Sequence, residues 1–281
     1  EDELCERIKD ADLVLCNKTQ IGKREMDAAK NLKYIGLFAT GFNNIDTAYA
    51  REKGITVCNA PGYSTEAVAQ HAVALMLQAL NRVGDYNKIV AEGDWQKSRT
   101  FALFPFPIYE LCGKTLGIVG YGAIGRRVAD VAKAFGMRVL VHNRSRVTDE
   151  SVTQVTFDTL LKESDVVSLH CPLNADSEKI MNADAFSKMK DGAVFVNTAR
   201  GPLVDENALR DALTNGKLLA AGVDVLCVEP MREDCPLFGI KNCYITPHIA
   251  WAGLETRTRL MGVVEDNINA FLSGTPKNVV S

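Results

Sequence analysis

Three ionisable residues, Arg200, Glu229 and His248, each follow a short apolar run in the second half of the sequence. An arginine can clamp a carboxylate through two parallel hydrogen bonds, and a histidine can exchange a proton near neutral pH. A nearby glutamate would orient the imidazole ring and favour its protonated form. Taken singly, each residue is more often a satisfied ion pair or a core histidine. Together the three supply what the reduction of a 2-keto acid requires besides a hydride donor.

A glycine motif predicts where that donor would bind. Gly120, Gly122 and Gly125 form a G-x-G-x-x-G pattern between a predicted strand at residues 116–120 and a predicted helix at 123–135. In this context the first glycine allows a tight turn, the second lets the backbone approach a pyrophosphate, and the third lets the helix pack closely. Free N–H groups and the helix dipole would hold the phosphates. The alternative is a glycine-rich turn that binds no ligand.

The end of the next predicted strand, residues 138–143, departs from the usual NAD pattern. An acidic residue is expected there to bind the ribose hydroxyls of NAD. The sequence has Asn143 near that position, followed by Arg144 and Arg146. A carboxylate would repel a 2′-phosphate, whereas a guanidinium attracts one. The pattern therefore favours NADP, and two solvated arginines on a surface turn are the alternative.

The elements that must position these residues alternate between strands and helices from residue 114 onward. Near-continuous apolar strands that alternate with helical patterns predict an α/β fold with a parallel sheet covered on both faces. In such a sheet, ligands bind at the carboxyl ends of the strands, where the three ionisable residues stand. The further predicted strands are 166–171, 193–198, 220–225 and 244–246, and the further helices are 158–163, 182–189 and 205–215.

Upstream, the sequence predicts a strand at 55–59 and a helix that Ser64 or Thr65 caps and that runs to about Val83. Residues 84–112 follow without clear periodicity. A segment this long in a compact chain usually has a function, and its aromatic content is unusual for a free loop. We interpret the segment as an arm in a homodimer interface, with a long surface loop as the alternative. Its aromatic residues are Trp95, Phe101, Phe104, Phe106 and Tyr109.

Composition argues against several classes of partner. A formal net charge of −3 over 281 residues provides no basic surface for nucleic acid. No apolar run reaches the roughly 18–20 residues that span a membrane. The chain opens Glu1-Asp2-Glu3, which is unlike a signal peptide. The eight cysteines are scattered without a Cys-x-x-Cys pair, as is typical of buried thiols in a reducing compartment. We therefore expect a cytoplasmic protein without disulfides.

The other histidines do not predict a metal site. His71 lies within the apolar helix that follows residue 64, where a packed or hydrogen-bonded core histidine is expected. His142 and His170 stand at strand ends near the proposed cofactor groove. The four histidines of the chain are too dispersed for metal-ligand spacing. We expect no bound metal.

Over nearly its whole length the sequence resembles the D-isomer-specific 2-hydroxyacid dehydrogenases. Arg200, Glu229 and His248 also stand at the family's spacing. Two segments, 63–70 (YSTEAVAQ) and 248–252 (HIAWA), resemble its glycerate dehydrogenase, or hydroxypyruvate reductase, branch. The segments that match the family as a whole are 39–46 (ATGFNNID), 113–125 (GKTLGIVGYGAIG), 169–173 (LHCPL), 197–201 (NTARG), 222–230 (GVDVLCVEP) and 246–252 (TPHIAWA).

The resemblance implies an α/β fold of two domains, in which a Rossmann-type doubly wound parallel sheet is inserted into a smaller flavodoxin-like substrate-binding domain. The substrate-binding domain would comprise residues 1–65 and 255–281, and the nicotinamide dinucleotide-binding domain residues 66–254. Family members begin with a strand and a helix before the segment that matches residues 3–17. We expect that opening to be missing here.

The resemblance also implies roles for individual residues. Arg200 would bind the substrate carboxylate and carbonyl, His248 would be the acid/base, and Glu229 would pair with His248. Backbone amides of Thr40 and Gly41 would hold the carboxylate. The residues implied to line NAD(P), besides Gly120, Gly122 and Gly125, are Ala123 and Ile124 at the pyrophosphate, Asn143 and Arg144 at the adenosine ribose, and Cys171, Pro172, Thr198 and Asp224 along the rest, with Asp224 near the nicotinamide carboxamide.

The implied activity is the reduction of a small 2-keto acid, hydroxypyruvate first, to the D-2-hydroxy acid, D-glycerate, by hydride transfer from NAD(P)H. Glyoxylate or another small keto acid is the alternative substrate. Some relatives of similar sequence serve instead as NAD-sensing transcriptional corepressors that bind peptides, and the Arg–Glu–His set fits both kinds of protein. The motifs of the glycerate dehydrogenase branch favour an enzyme.

Overall fold

The computed structural model describes residues 2–281. They divide into two compact units, one of residues up to Ser64 with Ala252–Ser281 and one of Thr65–Trp251. The smaller unit carries a parallel sheet of three strands in the order β1-β2-β3. Its elements are α1 (Asp2–Ile8), β1 (Leu13–Cys16), α2 (Lys23–Ala28), β2 (Tyr34–Leu37), α3 (Thr47–Glu52), β3 (Thr56–Cys58) and, at the end of the chain, α10 (Leu254–Leu272).

The core of the smaller unit forms around β2, whose four residues are all buried. Ile35 and Leu37 of this strand pack in one apolar cluster with Ile21, Met26 and Val57. The ring of Tyr34 lies 4.8 Å from the ring of Phe271 in α10. The last helix therefore completes a fold begun by residues more than two hundred positions earlier.

The larger unit is built on a sheet of seven parallel strands in the order β10-β9-β8-β7-β4-β5-β6. The order runs in opposite directions from β4 and β7, which makes the fold doubly wound. The elements of this unit are α4 (Thr65–Asn81), α5 (Val83–Ala91), β4 (Thr115–Val119), α6 (Ala123–Ala134), β5 (Arg138–His142), β6 (Thr153–Gln154), α7 (Phe157–Glu163), β7 (Val166–Leu169), α8 (Ala183–Lys188), β8 (Ala193–Asn197), α9 (Glu206–Thr214), β9 (Leu218–Val223) and β10 (Cys243–Ile245).

Helices cover both faces of this sheet, which confirms the predicted layers. Alternate residues of β4, such as Leu116 and Ile118, share an apolar cluster with α4 and α6. Val119, at the other parity, packs in a second cluster with α7, α8 and α9. The predicted strands and helices from residue 114 onward match the observed ones to within two residues at nearly every end. Asp205 caps α9, because its side chain accepts the N–H groups of Asn207 and Ala208.

The prediction that residues 84–112 lack regular structure is wrong for the first part of the segment. After α4 ends, Arg82 adopts a left-handed backbone conformation with φ 58°, and α5 begins at the next residue. None of the nine residues of α5 is buried. Its apolar residues Val83, Tyr86 and Val90 line an open groove instead of the core, and a stripe this short is a weak signal of a helix in a sequence.

None of the helices within residues 2–281 is long and apolar enough to cross a membrane.

Candidate active site

The predicted site residues of the larger unit gather at one edge of its sheet. Gly120 follows β4, Asn143 follows β5, Cys171 lies two residues after β7, and Thr198 and Asp224 directly follow β8 and β9. Because the strands are parallel, their carboxyl ends meet at the same edge. The sheet thus brings together residues that are separated by about a hundred positions in the sequence.

The three glycines of the loop after β4 differ in what surrounds them. Gly120 has a φ of +95°, and a Cβ there would lie 2.5 Å from the backbone nitrogen of Cys171. A Cβ on Gly125 would lie 2.3 Å from the carbonyl oxygen of Gly120. Gly122, the N-cap of α6, has open space where its Cβ would be. The first and third glycines are required by packing, and the second leaves room for a phosphate at a helix N-terminus.

The turn after β5 presents free cations where an acid was expected. The Asn143 side chain accepts a hydrogen bond from the Tyr121 N–H at 3.1 Å and donates to the Ser145 hydroxyl at 3.0 Å. Arg144 and Arg146 are exposed, and neither guanidinium makes a hydrogen bond or ion pair with another residue in the described part of the chain. The turn therefore offers two unpaired positive groups to a ligand.

Tyr121, which the sequence did not single out, orders the same turn. Its hydroxyl donates to Asp149 at 2.6 Å, and the Arg126 guanidinium lies 4.9 Å from the centre of its ring. Hydrogen bonds from Ser151 and then from Tyr121 hold the pKa of Asp149 below its usual range. The Asp149 carboxylate is thus already hydrogen-bonded to Tyr121 and Ser151.

Thr198 provides a further sign that a ligand binds at this edge. Thr198 is 7% exposed, and within residues 2–281 its hydroxyl oxygen has no hydrogen-bond partner. A buried polar group without a partner costs free energy. A bound dinucleotide that donates or accepts a hydrogen bond here would remove that cost. The orphan hydroxyl and the open space at Gly122 both fit the nicotinamide cofactor.

His248 and Glu229 form a close pair. The Nδ1 atom of His248 lies 2.6 Å from Oε2 of Glu229, and the other carboxylate oxygen accepts the N–H of Leu226 at 3.0 Å. Since an ionised carboxylate only accepts, Nδ1 carries a proton. Nε2 makes no hydrogen bond to a described residue, and the His248 side chain is 24% exposed. The ring is oriented at one nitrogen and available for proton exchange at the other.

The backbone of His248 is strained and firmly held. Its φ of 55° lies in the left-handed region, which costs a non-glycine residue on the order of 1–3 kcal/mol. The His248 N–H donates to the carbonyl oxygen of Asp224 at 2.8 Å. The Asp224 carboxylate, which is 1% exposed, accepts the N–H groups of Ile249 and Ala250 at 2.9 Å each. Asp224 thus holds the turn that carries His248. The contact between Asp224 and the cofactor remains a prediction from the sequence.

A glycine brings Arg200 against the turn that carries Glu229. A Cβ on Gly201 would lie 2.0 Å from the carbonyl atoms of Leu226, so no larger residue fits there. Arg200 donates one hydrogen bond, to the carbonyl oxygen of Ala199 at 2.6 Å. Its remaining guanidinium N–H groups have no partner among residues 2–281. They are available for the carboxylate clamp that the sequence predicts.

Thr40 and Gly41 lie in the smaller unit, after β2. The Thr40 hydroxyl donates to the carbonyl oxygen of Ala60 at 2.8 Å, and the Asn59 side chain donates to the Thr40 carbonyl at 2.7 Å. These bonds order the turn. The N–H groups of Thr40 and Gly41 donate to no residue that the structure describes, so both can take an acceptor. The described residues include no group of three His, Cys, Asp or Glu placed to hold a metal ion.

Comparisons with known proteins agree with this architecture. A family model described as the NAD binding domain of D-isomer specific 2-hydroxyacid dehydrogenase matches residues 73–250. The chain is 44% identical to a hydroxypyruvate reductase of Blautia hydrogenotrophica, over 100% of this chain and 88% of that protein. It is 39% identical to a glycerate dehydrogenase of Methylorubrum extorquens, over 99% of this chain and 88% of that protein.

Among solved structures, an acyclic imino acid reductase in complex with NADPH and D-Arg superposes with a TM-score of 0.89. The two proteins are 34% identical, and the match covers 100% of this chain and 89% of the other. Its backbone similarity thus extends over the whole chain.

Proposed function

This chain belongs to the D-isomer specific 2-hydroxyacid dehydrogenase family, and we propose that within this family of nicotinamide-dependent oxidoreductases it reduces hydroxypyruvate to D-glycerate. The observation that carries the proposal is the 2.6 Å pair of His248 and Glu229 on the sheet edge that also carries the glycine loop. The choice of hydroxypyruvate is supported by two similar relatives that are named for the two directions of this reaction.

The cofactor, when bound, supplies a hydride to the C2 carbon of the keto acid. His248 donates the proton from Nε2 to the carbonyl oxygen, which gains negative charge as the hydride arrives. Glu229 orients the ring through its contact with Nδ1. Arg200 binds the substrate carboxylate with its unpartnered N–H groups, and the free amides of Thr40 and Gly41 are the proposed further donors. Reduction needs the acid form of His248, so its rate falls as the pH rises.

The adenosine end of the dinucleotide is proposed to lie against Asn143 and Arg144, with Ala123 and Ile124 at the pyrophosphate and Cys171 and Pro172 beyond it. NADPH is used at least as well as NADH. Two observations support this preference: Asn143 replaces the acid that would repel a 2′-phosphate, and the exposed Arg144 guanidinium has no partner among residues 2–281. The similar imino acid reductase was solved with NADPH. NADH also binds, since the asparagine can hydrogen-bond a ribose hydroxyl.

Initial rates with a panel of keto acids test the substrate assignment. Hydroxypyruvate, glyoxylate and pyruvate are each reduced with NADPH and with NADH, and the product of hydroxypyruvate is identified by its chirality. We expect hydroxypyruvate to have the highest kcat/KM and to yield D-glycerate. A higher kcat/KM for glyoxylate would identify glyoxylate, in place of hydroxypyruvate, as the substrate. The absence of turnover with every acid would favour the non-enzymatic corepressor.

The protein is also proposed to form a homodimer through residues 84–112. The apolar side chains of Val83, Val90, Phe104 and Ile108 line an open groove of about 410 Å³ between α5 and the segment that follows it. Phe101 is 93% exposed. An apolar surface of this kind on one unit is typical of an interface between subunits. Sedimentation equilibrium measures the mass, and a monomer at micromolar concentration would contradict the proposal.

The eight cysteines of the chain are all free thiols. Free thiols persist in reducing compartments. They support the proposal that the enzyme works in the cytoplasm, which fractionation of the source cells tests directly.

A further inference from the structure

His71 lies on α4, 175 residues before the turn that carries His248, and nevertheless reaches that turn. Its Nε2 atom is 2.8 Å from the hydroxyl oxygen of Thr246 and 3.4 Å from Oδ1 of Asp224. The side chain of His71 is 20% exposed. The core histidine that the sequence predicts is thus hydrogen-bonded to residues beside the proposed acid.

Packing of α4 on the sheet fixes the position of His71. Leu75 stands one helical turn after His71, so both side chains lie on the same face of the helix. A Cβ on Gly222 of β9 would lie 2.7 Å from Cβ of Leu75. The helix therefore sits directly against the strand whose end carries Asp224. This close approach sets the distance between His71 and the carboxylate.

The direction of the hydrogen bonds follows from the charge of Asp224. Burial alone would raise its pKa, but hydrogen bonds from His71, Thr246 and two backbone amides outweigh it and leave the pKa below the usual value. An ionised carboxylate only accepts, so the one proton of the Thr246 hydroxyl points to Oδ1 of Asp224, 2.6 Å away. The Thr246 oxygen must then accept from His71. His71 accordingly carries a proton on Nε2.

We propose that His71 is a positioning residue for His248, which it holds through Thr246 and Asp224. Asp224 binds the chain before His248 through the Thr246 hydroxyl and after it through the amides of Ile249 and Ala250. The Asp224 carbonyl oxygen also accepts the N–H of His248. A displaced Asp224 would therefore move the imidazole away from Glu229.

This inference rests on the proposed role of His248 as the proton donor in keto-acid reduction. Because His71 makes none of the proposed substrate contacts, its loss should lower kcat and leave the KM for hydroxypyruvate nearly unchanged. If His71 only stabilised the fold, its loss would lower thermal stability without this difference between kcat and KM.

Three variants test the inference. His71→Leu removes the donor to the Thr246 hydroxyl, and kcat should fall about tenfold, the factor that corresponds to one hydrogen bond at the upper end of the usual range. His71→Gln places an amide N–H near the position of Nε2 and should restore most of that loss. Gln70→Leu, at an exposed neighbouring position of α4, is the matched control and should behave as the wild type.

Two results of the turnover measurements would overturn the inference. One is a wild-type kcat in His71→Leu. The other is an equal loss in His71→Leu and His71→Gln that follows their thermal stability. The signal of the proton on Nδ1 of His248, observed by nuclear magnetic resonance, is independent of turnover. It should shift in His71→Leu and stay in place in Gln70→Leu. If the wild type reduces no keto acid, the proposed function fails, while an unshifted signal refutes the positioning role by itself.

Discussion

Arg144 offers the sharpest test of how the protein chooses its cofactor. A charge-assisted hydrogen bond contributes about 1.5–3 kcal/mol, which corresponds to about ten- to a hundredfold in affinity. The Arg144 guanidinium is exposed, so solvent screening places its contact with a 2′-phosphate near the lower limit. It has no partner within the described residues, so binding breaks no existing bond. Arg144→Ala should therefore raise the KM for NADPH about tenfold and leave the KM for NADH nearly unchanged.

Asn143→Asp tests the same turn in the opposite direction. The carboxylate can still accept the N–H of Tyr121, but it cannot donate to Ser145 as Asn143 does. It would repel a 2′-phosphate and bind a ribose hydroxyl, so preference should shift toward NADH. Initial rates at saturating hydroxypyruvate, with each cofactor varied, measure both effects. Equal effects of Arg144→Ala on the two cofactors, or a wild type that ignores NADPH, would refute the reasoning.

Three further predictions concern stability, packing and assembly. Burial lowers the pKa of His170 to about 4, whereas the pKa in the unfolded chain is about 6.5. The neutral, buried His170 therefore contributes fully to the free energy of unfolding above pH 6.5, and this contribution is lost as the pH falls toward 4. Between pH 6.5 and 5 the free energy of unfolding should fall by about 2 kcal/mol. Urea unfolding of the wild type should show this loss, and urea unfolding of His170→Gln should not. Gly201→Ala should lower the free energy of unfolding by about 1–3 kcal/mol and reduce kcat/KM, because its Cβ would overlap the Leu226 carbonyl; an unchanged melting temperature would contradict this. Phe104→Glu should convert the proposed dimer to a monomer in sedimentation without loss of folded structure.

The parallel sheet and its functional edge were predictable because their signals are local. Each strand is a short apolar run. Thr198 and Asp224 directly follow strands, and Arg200 and His248 each stand three residues after the end of one. A parallel sheet gathers such ends regardless of their distance along the chain. The glycine loop was predictable for the same reason, since Gly120 and Gly122 stand between a strand and a helix. Here periodicity and topology together determine the placement.

Other features depend on contacts that no local pattern reveals. Helix α5 buries none of its side chains, and the left-handed backbone of Arg82 that separates it from α4 is not encoded by a glycine. The bond from His71 to Thr246 joins residues 175 positions apart. The one available signal was a polar residue four positions before Leu75 on the apolar face of α4. That signal predicts a hydrogen bond but does not identify the partner.

Steady-state turnover of hydroxypyruvate by the wild type and by His248→Ala and Arg200→Lys tests the central claim most directly. His248→Ala should lower kcat by about a hundredfold or more, the usual loss for a general acid. Arg200→Lys should also fail, because lysine cannot form the bidentate clamp. The wild-type rate should fall as the pH rises. Near-native turnover in both variants would contradict the assignment of Arg200, Glu229 and His248 as the catalytic residues.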